Sequence, residues 1–550
     1  MNSENIILIP ARAGASNISR QNLRLVNDKP LIYYVIKSAL KFTKNVYVST
    51  DSDEIKQVSI LYGAKIIQRS KHLTKNNTKL EEIAFDALSK LERKNFQKCL
   101  ILNPKYPLIT LSTIKKFFSL LNKNIQTIYG YEIIPHHQYK QINFISKDFG
   151  SIVKDLNNCI ITEKIVSFNC KLFLKSKNFQ SPIFGLKLTQ NEPLVLDSYH
   201  DFAILEKILS RKRILVRVDG GDSIGLGHVH NMLTILNHFR NEEILIVMDA
   251  KNKQGYNKFQ EHLYKVKFFK NESELFKLIR NFEPNLIFND ILNTSINYMK
   301  KIKHEKSFVV NFEDIGNGRK LADLVFNPIY HSDQNILNEY YGPKFACVRD
   351  EFRIWDSSQF KKIAKNVVLI FGGLDTTNKT YLILKLIEKY KLKNINYSII
   401  IGQGFKERIK LLKLIQKMRK NDFKIELKEN VEFLAKIFQK SDFAITSNGR
   451  TVFELGSLHV PMITIPVNKR ENKHTFVQKY DVGYVVELEN ESKTHDFLNA
   501  FNNMLQNKNR EKFQKKLREI NLLHGVDRVV QKINNDFEIT NKKINKVYRF

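Results

Sequence analysis

Strand-like apolar runs alternate with amphipathic helical stretches through almost the whole chain, and this alternation restricts the fold before any single residue is considered. The runs are Ile6–Ile9, Val46–Ser49, Leu100–Leu102, Ile214–Val216, Ile244–Met248, Leu286–Phe288, Phe308–Asn311, Val367–Phe371, Ser398–Ile401, Phe443–Thr446 and Met462–Ile465. Strands separated by helices predict an α/β architecture with mostly parallel sheets. At 550 residues the chain has room for about three to five units of ordinary size. An amphipathic segment, Asp201 to Leu209, ends in Arg211-Lys212-Arg213, and a new strand begins at Ile214, so the main boundary is expected near 211. The polar, strand-poor stretch Trp355–Lys365 divides the second half again. The expected units are 1–211, two α/β lobes at 212–355 and 356–490, and a basic helical tail at 491–550.

Lys+Arg number 89 against 56 Asp+Glu, a net charge of +33 that invites a polyanionic partner. The basic residues are dispersed, however, and no recognition helix, zinc-finger spacing or aromatic RNA-binding signature accompanies them. With one Trp and 12 Pro beside abundant Lys, Asn and Ile, the charge reads as compositional bias, and no specific nucleic-acid partner is expected. Phosphorylated small molecules suit it better, with Arg12, Arg20, Arg217 and Arg450 as the cations facing them. Cys99, Cys159, Cys170 and Cys347 show neither CxxC pairing nor His partners, as isolated thiols in a reducing compartment would. The first residues enter a strand at Ile6 without a basic segment before a long apolar one, and no window reaches roughly 18 apolar residues. No membrane span and a cytoplasmic location are expected.

Strand Ile6–Ile9 runs into Pro10-Ala11-Arg12-Ala13-Gly14-Ala15-Ser16, then Arg20-Gln21-Asn22-Leu23 and Asn27-Asp28-Lys29-Pro30-Leu31. Small residues with two arginines and an asparagine, at the carboxyl end of a first strand, suit a nucleotide triphosphate. On residue types alone an ordinary strand-to-helix turn fits equally well. The run resembles the CMP-sialic acid synthetase family of cytidylyltransferases, whose first loop reads about I-P-A-R-G-G-S-K-G-I-P-R-K-N-L. The likeness continues through Val48-Ser49-Thr50-Asp51-Ser52, Tyr62-Gly63-Ala64, Leu102-Asn103-Pro104-Lys105-Tyr106-Pro107-Leu108 and Leu196-Asp197-Ser198-Tyr199-His200-Asp201-Phe202. It implies attack of a nonulosonic acid hydroxyl on CTP with Mg²⁺ present, nucleotide contacts at Arg12, Gly14, Arg20, Asn22 and Asn103, and a metal carboxylate at Asp197. Departures cluster at that chemistry. Ser16 and Gln21 replace lysines, Ala13 a glycine, Val195 the first carboxylate of the metal pair, Asn103 a glutamine and Ile109 an arginine. Each lost electrostatic group costs about 2.7–4 kcal/mol of transition-state stabilisation, so a weakened or inactive site is expected.

A second glycine turn follows strand Ile214–Val216: Arg217-Val218-Asp219-Gly220-Gly221-Asp222-Ser223-Ile224-Gly225-Leu226-Gly227-His228-Val229. Glycines before a helix let a ligand approach the backbone, and imidazole can act as a base near neutral pH. A lone His is more often structural, but Arg217, Asp219 and His228 in one strand–loop–helix context favour catalysis. Phe371-Gly372-Gly373-Leu374-Asp375 makes another glycine turn, and Ser447-Asn448-Gly449-Arg450-Thr451-Val452-Phe453-Glu454-Leu455 suits phosphate on amides and ribose on a carboxylate. Glu471 to Phe476 supplies a further polar cluster. Over residues 213–490 these motifs resemble the UDP-sugar hydrolase of pseudaminic acid biosynthesis, a relative of the two-lobed MurG-type glycosyltransferases. The resemblance implies water activation by His228, sugar positioning by Asp219, and UDP held through Gly225, Gly227, Gly372, Gly373, Ser447, Gly449, Thr451 and Glu454 without a metal. Arg217, Glu313 and Asp314 are candidate substrate contacts. Gly221 and Asn231 depart from the pattern, the latter replacing an arginine.

The implied architecture is an N-terminal Rossmann-like nucleotidyltransferase domain followed by a twin Rossmann-like half of glycosyltransferase-B type. The implied function is nucleotide-sugar chemistry in nonulosonate and surface-glycan synthesis, with hydrolysis of a UDP-linked amino sugar in the second half. A glycosyltransferase using a UDP-sugar donor and a non-catalytic sugar-nucleotide-binding scaffold are the alternatives. A homodimer is compatible with all of them.

Overall fold

The apolar runs fall on strands of the computed structural model, which describes residues 4–14, 18–75, 77–91, 95–133, 159–189, 191–221, 225–252, 255–303, 307–332, 336–373, 375–402, 404–488 and 494–547. Two compact units result, Met1–Ser210 and Arg211–Phe550. Ser16 and the turn residues 222–224 lie outside the described residues.

In the first unit the described strands form one sheet in the order Lys65–Gln68, Val46–Thr50, Asn5–Pro10, Lys98–Leu102, Cys159–Asn169, Thr127–Ile133, Ile183–Lys187. The first four are parallel, and Cys159–Asn169 runs antiparallel to both its neighbours. Alternation along the strands fills both faces. Ile7, Ile9, Val46, Val48 and Leu100 pack on one side, and Ile6, Leu8, Tyr47, Cys99 and Ile101 on the other. Because chain order reverses at Asn5–Pro10, the loop after Pro10 lies at a topological switch point, where ligands of open α/β sheets bind.

The second unit carries two parallel sheets. One runs Lys265–Phe269, Glu243–Asp249, Arg213–Val218, Leu286–Asp290, Phe308–Phe312, Leu324–Asn327, Glu339–Tyr341. The other runs Lys424–Glu429, Asn396–Ile401, Asn366–Ile370, Phe443–Thr446, Met462–Thr464, Gly483–Val485. Each again reverses at its first strand, so Val218 and Asp290 end one switch point and Ile370 and Thr446 the other.

The segment expected as a basic tail is helical, at Thr494–Leu505, Asn507–Glu519 and Gly525–Val547, but it does not stand apart. Phe497, Phe501 and Met504 belong to the second-lobe core, and Val526, Val529, Ile533 and Phe537 to the first-lobe core. Its charge occupies the solvent faces of helices whose apolar stripes are buried. Arg510, 2% exposed, donates to the carbonyls of Met504, Leu505, Lys361 and Lys362, tying the strand-poor interlobe stretch to these helices.

Candidate functional site

His228 is the second residue of helix Gly227–Leu236, which starts at the end of the glycine turn. Strand pairing sets Val218 beside Asp290, and this brings the end of Leu286–Asp290 to the same helix start. His228 Nδ1 is bonded to Asp290 Oδ1, and Asn231, one turn along the helix, donates to Asp290 Oδ2 at 2.7 Å. Asp290 has no exposed surface. Burial raises its carboxyl, but His228, Arg450 and the Asn231 amide together bring it below the usual carboxylate range. A buried carboxylate on Nδ1 holds the proton there and leaves the Nε2 lone pair to accept another. The three side chains are arranged as a general base would require. Two of them, Asp290 and Asn231, were not among the expected catalytic groups; Asn231 is the position where the resemblance led one to expect an arginine.

Asp219, expected to work with His228, is bonded to other partners. Its carboxylate pairs with Arg217 at 2.5 and 2.7 Å and accepts the Asp249 amide at 3.0 Å. Arg217 in turn lies 4.6 Å from the Phe269 ring centroid. The pair joins the two side chains at the strand end, so Asp219 and Arg217 are already partnered to each other. Asp314 is likewise committed: it accepts from Thr294 N (3.0 Å), Thr294 Oγ1 (2.6 Å), Gly316 N (2.8 Å) and Asn311 Nδ2 (2.7 Å) and is 1% exposed. Both of its oxygens are occupied in ordering the turn. Glu313 differs. It is buried, its φ is 52°, and Arg450 Nη2 lies 3.0 Å from its Oε1 and 3.9 Å from Asp290 Oδ2. Arg450 comes from the second lobe, and its stem passes Gly227, where a Cβ would lie 3.3 Å from Arg450 Cδ.

The remaining second-lobe candidates gather at its switch point. Gly372 has φ 71°, and a Cβ there or at Gly373 would meet nothing within 4 Å. Ser447 and Gly449 form the turn after Phe443–Thr446, ahead of Thr451 at the start of helix Thr451–Ser457. Glu454, expected to face a ribose, gives one oxygen to Arg349 Nε at 2.9 Å. Glu471 accepts the amides of Asn448 (3.0 Å) and Val467 (3.1 Å), and burial pushes its carboxyl up to about 7 despite them. The Nδ1 of His474 is 2.5 Å from the Asn448 carbonyl, which makes it the donor, and burial holds the ring neutral by lowering its pKa to about 4.

In the first unit, Arg12 donates to the Thr74 carbonyl at 2.9 Å and its own carbonyl accepts Asn22 Nδ2 at 3.1 Å. A Cβ at Gly14 would meet nothing within 4 Å. Arg20 sits in an ion pair with Glu54, with more than 60% of both side chains exposed. Gln21 is buried and donates to the Leu196 carbonyl. Arg69, absent from the expected set, donates to Ser49 Oγ and to its carbonyl. Burial and the charge of Arg12, opposed by Asp51, lower the Arg69 pKa to about 10.

Asp197 does not fit a metal. Its carboxylate is paired with Lys105, whose own amide donates to Asn103 Oδ1 at 3.0 Å, and its would-be partner carboxylate is Val195. Among the described residues no three His, Cys, Asp or Glu side chains converge as a metal site. A lysine ammonium stands where a divalent cation would need an anionic pair.

Residues 6–164 match the cytidylyltransferase family. The chain is 28% identical over 278 residues to an uncharacterized protein of Methanocaldococcus jannaschii, covering 48% of this chain and 57% of that protein, so it spans little more than half that relative's length. It is 27% identical to the CMP-N,N'-diacetyllegionaminic acid synthase of Legionella pneumophila, over 37% of this chain and 95% of that enzyme. Among solved structures, MurG of Acinetobacter baumannii superposes with a TM-score of 0.45 and 12% identity, covering 59% of this chain and 99% of that one. Among the described residues no helix is long and apolar enough to cross a membrane.

Proposed function

We propose that Arg211–Phe550 hydrolyses a UDP-linked amino sugar, and that Met1–Ser210 is a CMP-nonulosonate synthetase-like domain with a weakened catalytic site. The observation that carries the first part is the His228–Asp290–Asn231 arrangement at a switch point of the first lobe. His228 Nε2 takes a proton from water as the oxygen attacks the anomeric carbon; the bond from that carbon to the diphosphate oxygen breaks, and UDP leaves with the bonding pair. Asp290 stabilises the imidazolium, and Asn231 keeps the carboxylate turned toward the ring. The open turn at Gly372–Gly373 and the turn at Ser447–Gly449 lie at the second lobe's switch point, where a nucleotide would bind.

For the first unit, the cytidylyltransferase match over residues 6–164 and the likeness to a CMP-legionaminate synthase support the substrate class, CTP and a nonulosonic acid. The Lys105–Asp197 pair and the buried, committed Gln21 support the loss of rate. Mass spectrometry of the whole chain with a UDP-diacetamido hexose and no acceptor should yield free sugar and UDP, both lost in His228→Ala. Turnover only when an acceptor alcohol is added would make the enzyme a transferase. In parallel, robust pyrophosphate release from CTP and nonulosonates would contradict the weakened first site.

A further inference from the structure

The pair between Arg450 and Glu313 is buried yet poorly made. The charges lie 3.0 Å apart, but neither Arg450 Nε nor Glu313 Oε1 has an aligned hydrogen bond among the described residues. Glu313 has only 4% of its side chain exposed. Removing both charges from water is costly, and only good geometry with every donor and acceptor paired repays it. The backbone is strained as well. A non-glycine residue at φ 52° persists only where its surroundings impose it, and such outliers gather at ligand sites. The surroundings here are the Phe326 carbonyl, which accepts Glu313 N at 2.8 Å, and Arg470, whose Nη2 donates to the Glu313 carbonyl at 2.6 Å. Arg470 also lies 5.7 Å from the Tyr330 ring centroid. Two arginines of the second lobe therefore converge on one acidic residue of the first.

A guanidinium left with an unpaired donor by a single carboxylate contact is a planar fork that also fits phosphate, which offers more oxygens and more charge. Resting on the nucleotide-sugar reading above, we propose that Arg450 and Arg470 form the phosphate subsite of this unit and that Glu313 is a built-in competitor, occupying Arg450 until a nucleotide diphosphate displaces it. Arg450 Nη2 is 3.9 Å from Asp290 Oδ2. A diphosphate taken up there sits beside the His228–Asp290 base, with its departing charge facing the guanidinium. Ligand exchange at one arginine then both fills the subsite and releases one of the contacts between the two lobes.

Calorimetric titration of the full chain with UDP tests this. Glu313→Gln should bind UDP roughly tenfold more tightly than wild type, and Glu313→Gly, which also relieves the positive φ, should do so too. Arg450→Gln should weaken UDP about tenfold or more, and adding Glu313→Gln to it should bring no gain. UDP binding equal to or weaker than wild type in folded Glu313→Gly overturns the competitor while leaving the nucleotide reading standing. No UDP binding by any of these proteins overturns both.

Discussion

In the proposed mechanism His228 acts as a base through a neighbour that no nearby motif announces. Asp290 is 62 residues away in sequence, and its buried carboxylate sets which ring nitrogen holds the proton. Asp290→Asn should lower kcat by roughly 10²–10⁴ with KM little changed, because the imidazole loses its tautomer and its counter-charge while the binding surface stays. Steady-state kinetics check it; an equal fall in kcat and rise in KM would mark a binding role. Glu471 carries a separate residue-scale signature. Burial holds its carboxyl near 7, above the usual carboxylate value of 4.5, so the folded state keeps this proton longer than the unfolded one. Its contribution to stability therefore falls as pH rises from about 4.5 to about 7 and is flat beyond. Glu471→Gln should remove that loss, gaining about 3 kcal/mol on wild type between pH 4 and pH 8 in denaturant titrations.

At the scale of elements, the C-terminal helices act as structure for both lobes. Ile533→Ala removes a fully buried side chain from the first-lobe core of Arg211–Phe550 and should cost about 2–5 kcal/mol by denaturant unfolding. Arg510→Ala leaves four carbonyls short of a charged donor and should cost about 3 kcal/mol in the same assay. The helices themselves were legible from their amphipathic spacing, and the strands from their apolar runs. Where their faces are buried was not, because a dispersed basic composition looks the same on a free tail and on a packed helix. The switch points were legible too, since a strand followed by a small-residue loop is a local pattern. Which polar groups meet there depends on strand neighbours. The motif resemblance named Asp219 for sugar positioning, while strand pairing supplies Asp290 as the partner of His228. Glu454 likewise meets Arg349 across 105 residues, a contact that no spacing encodes.

Over the whole molecule, the proposed function gives two units of related substrate class that differ in how intact their chemistry is. In Met1–Ser210 the lysine on Asp197 and the valine at 195 remove an anionic metal pair, so wild type should show no Mn²⁺ site there by electron paramagnetic resonance. Lys105→Ala with Val195→Asp should create one, and equal Mn²⁺ binding in both proteins would contradict that account. In Arg211–Phe550 His228, its partner Asp290 and Arg450, whose Nη2 lies 3.9 Å from Asp290 Oδ2, are present within a single unit. The most direct test of the central claim is turnover of a UDP-diacetamido hexose by the whole chain in ¹⁸O-labelled water, followed by mass spectrometry of both products. Attack by His228-activated water at the anomeric carbon predicts label in the released sugar and none in UDP; label in UDP, or no free sugar at all, would contradict it.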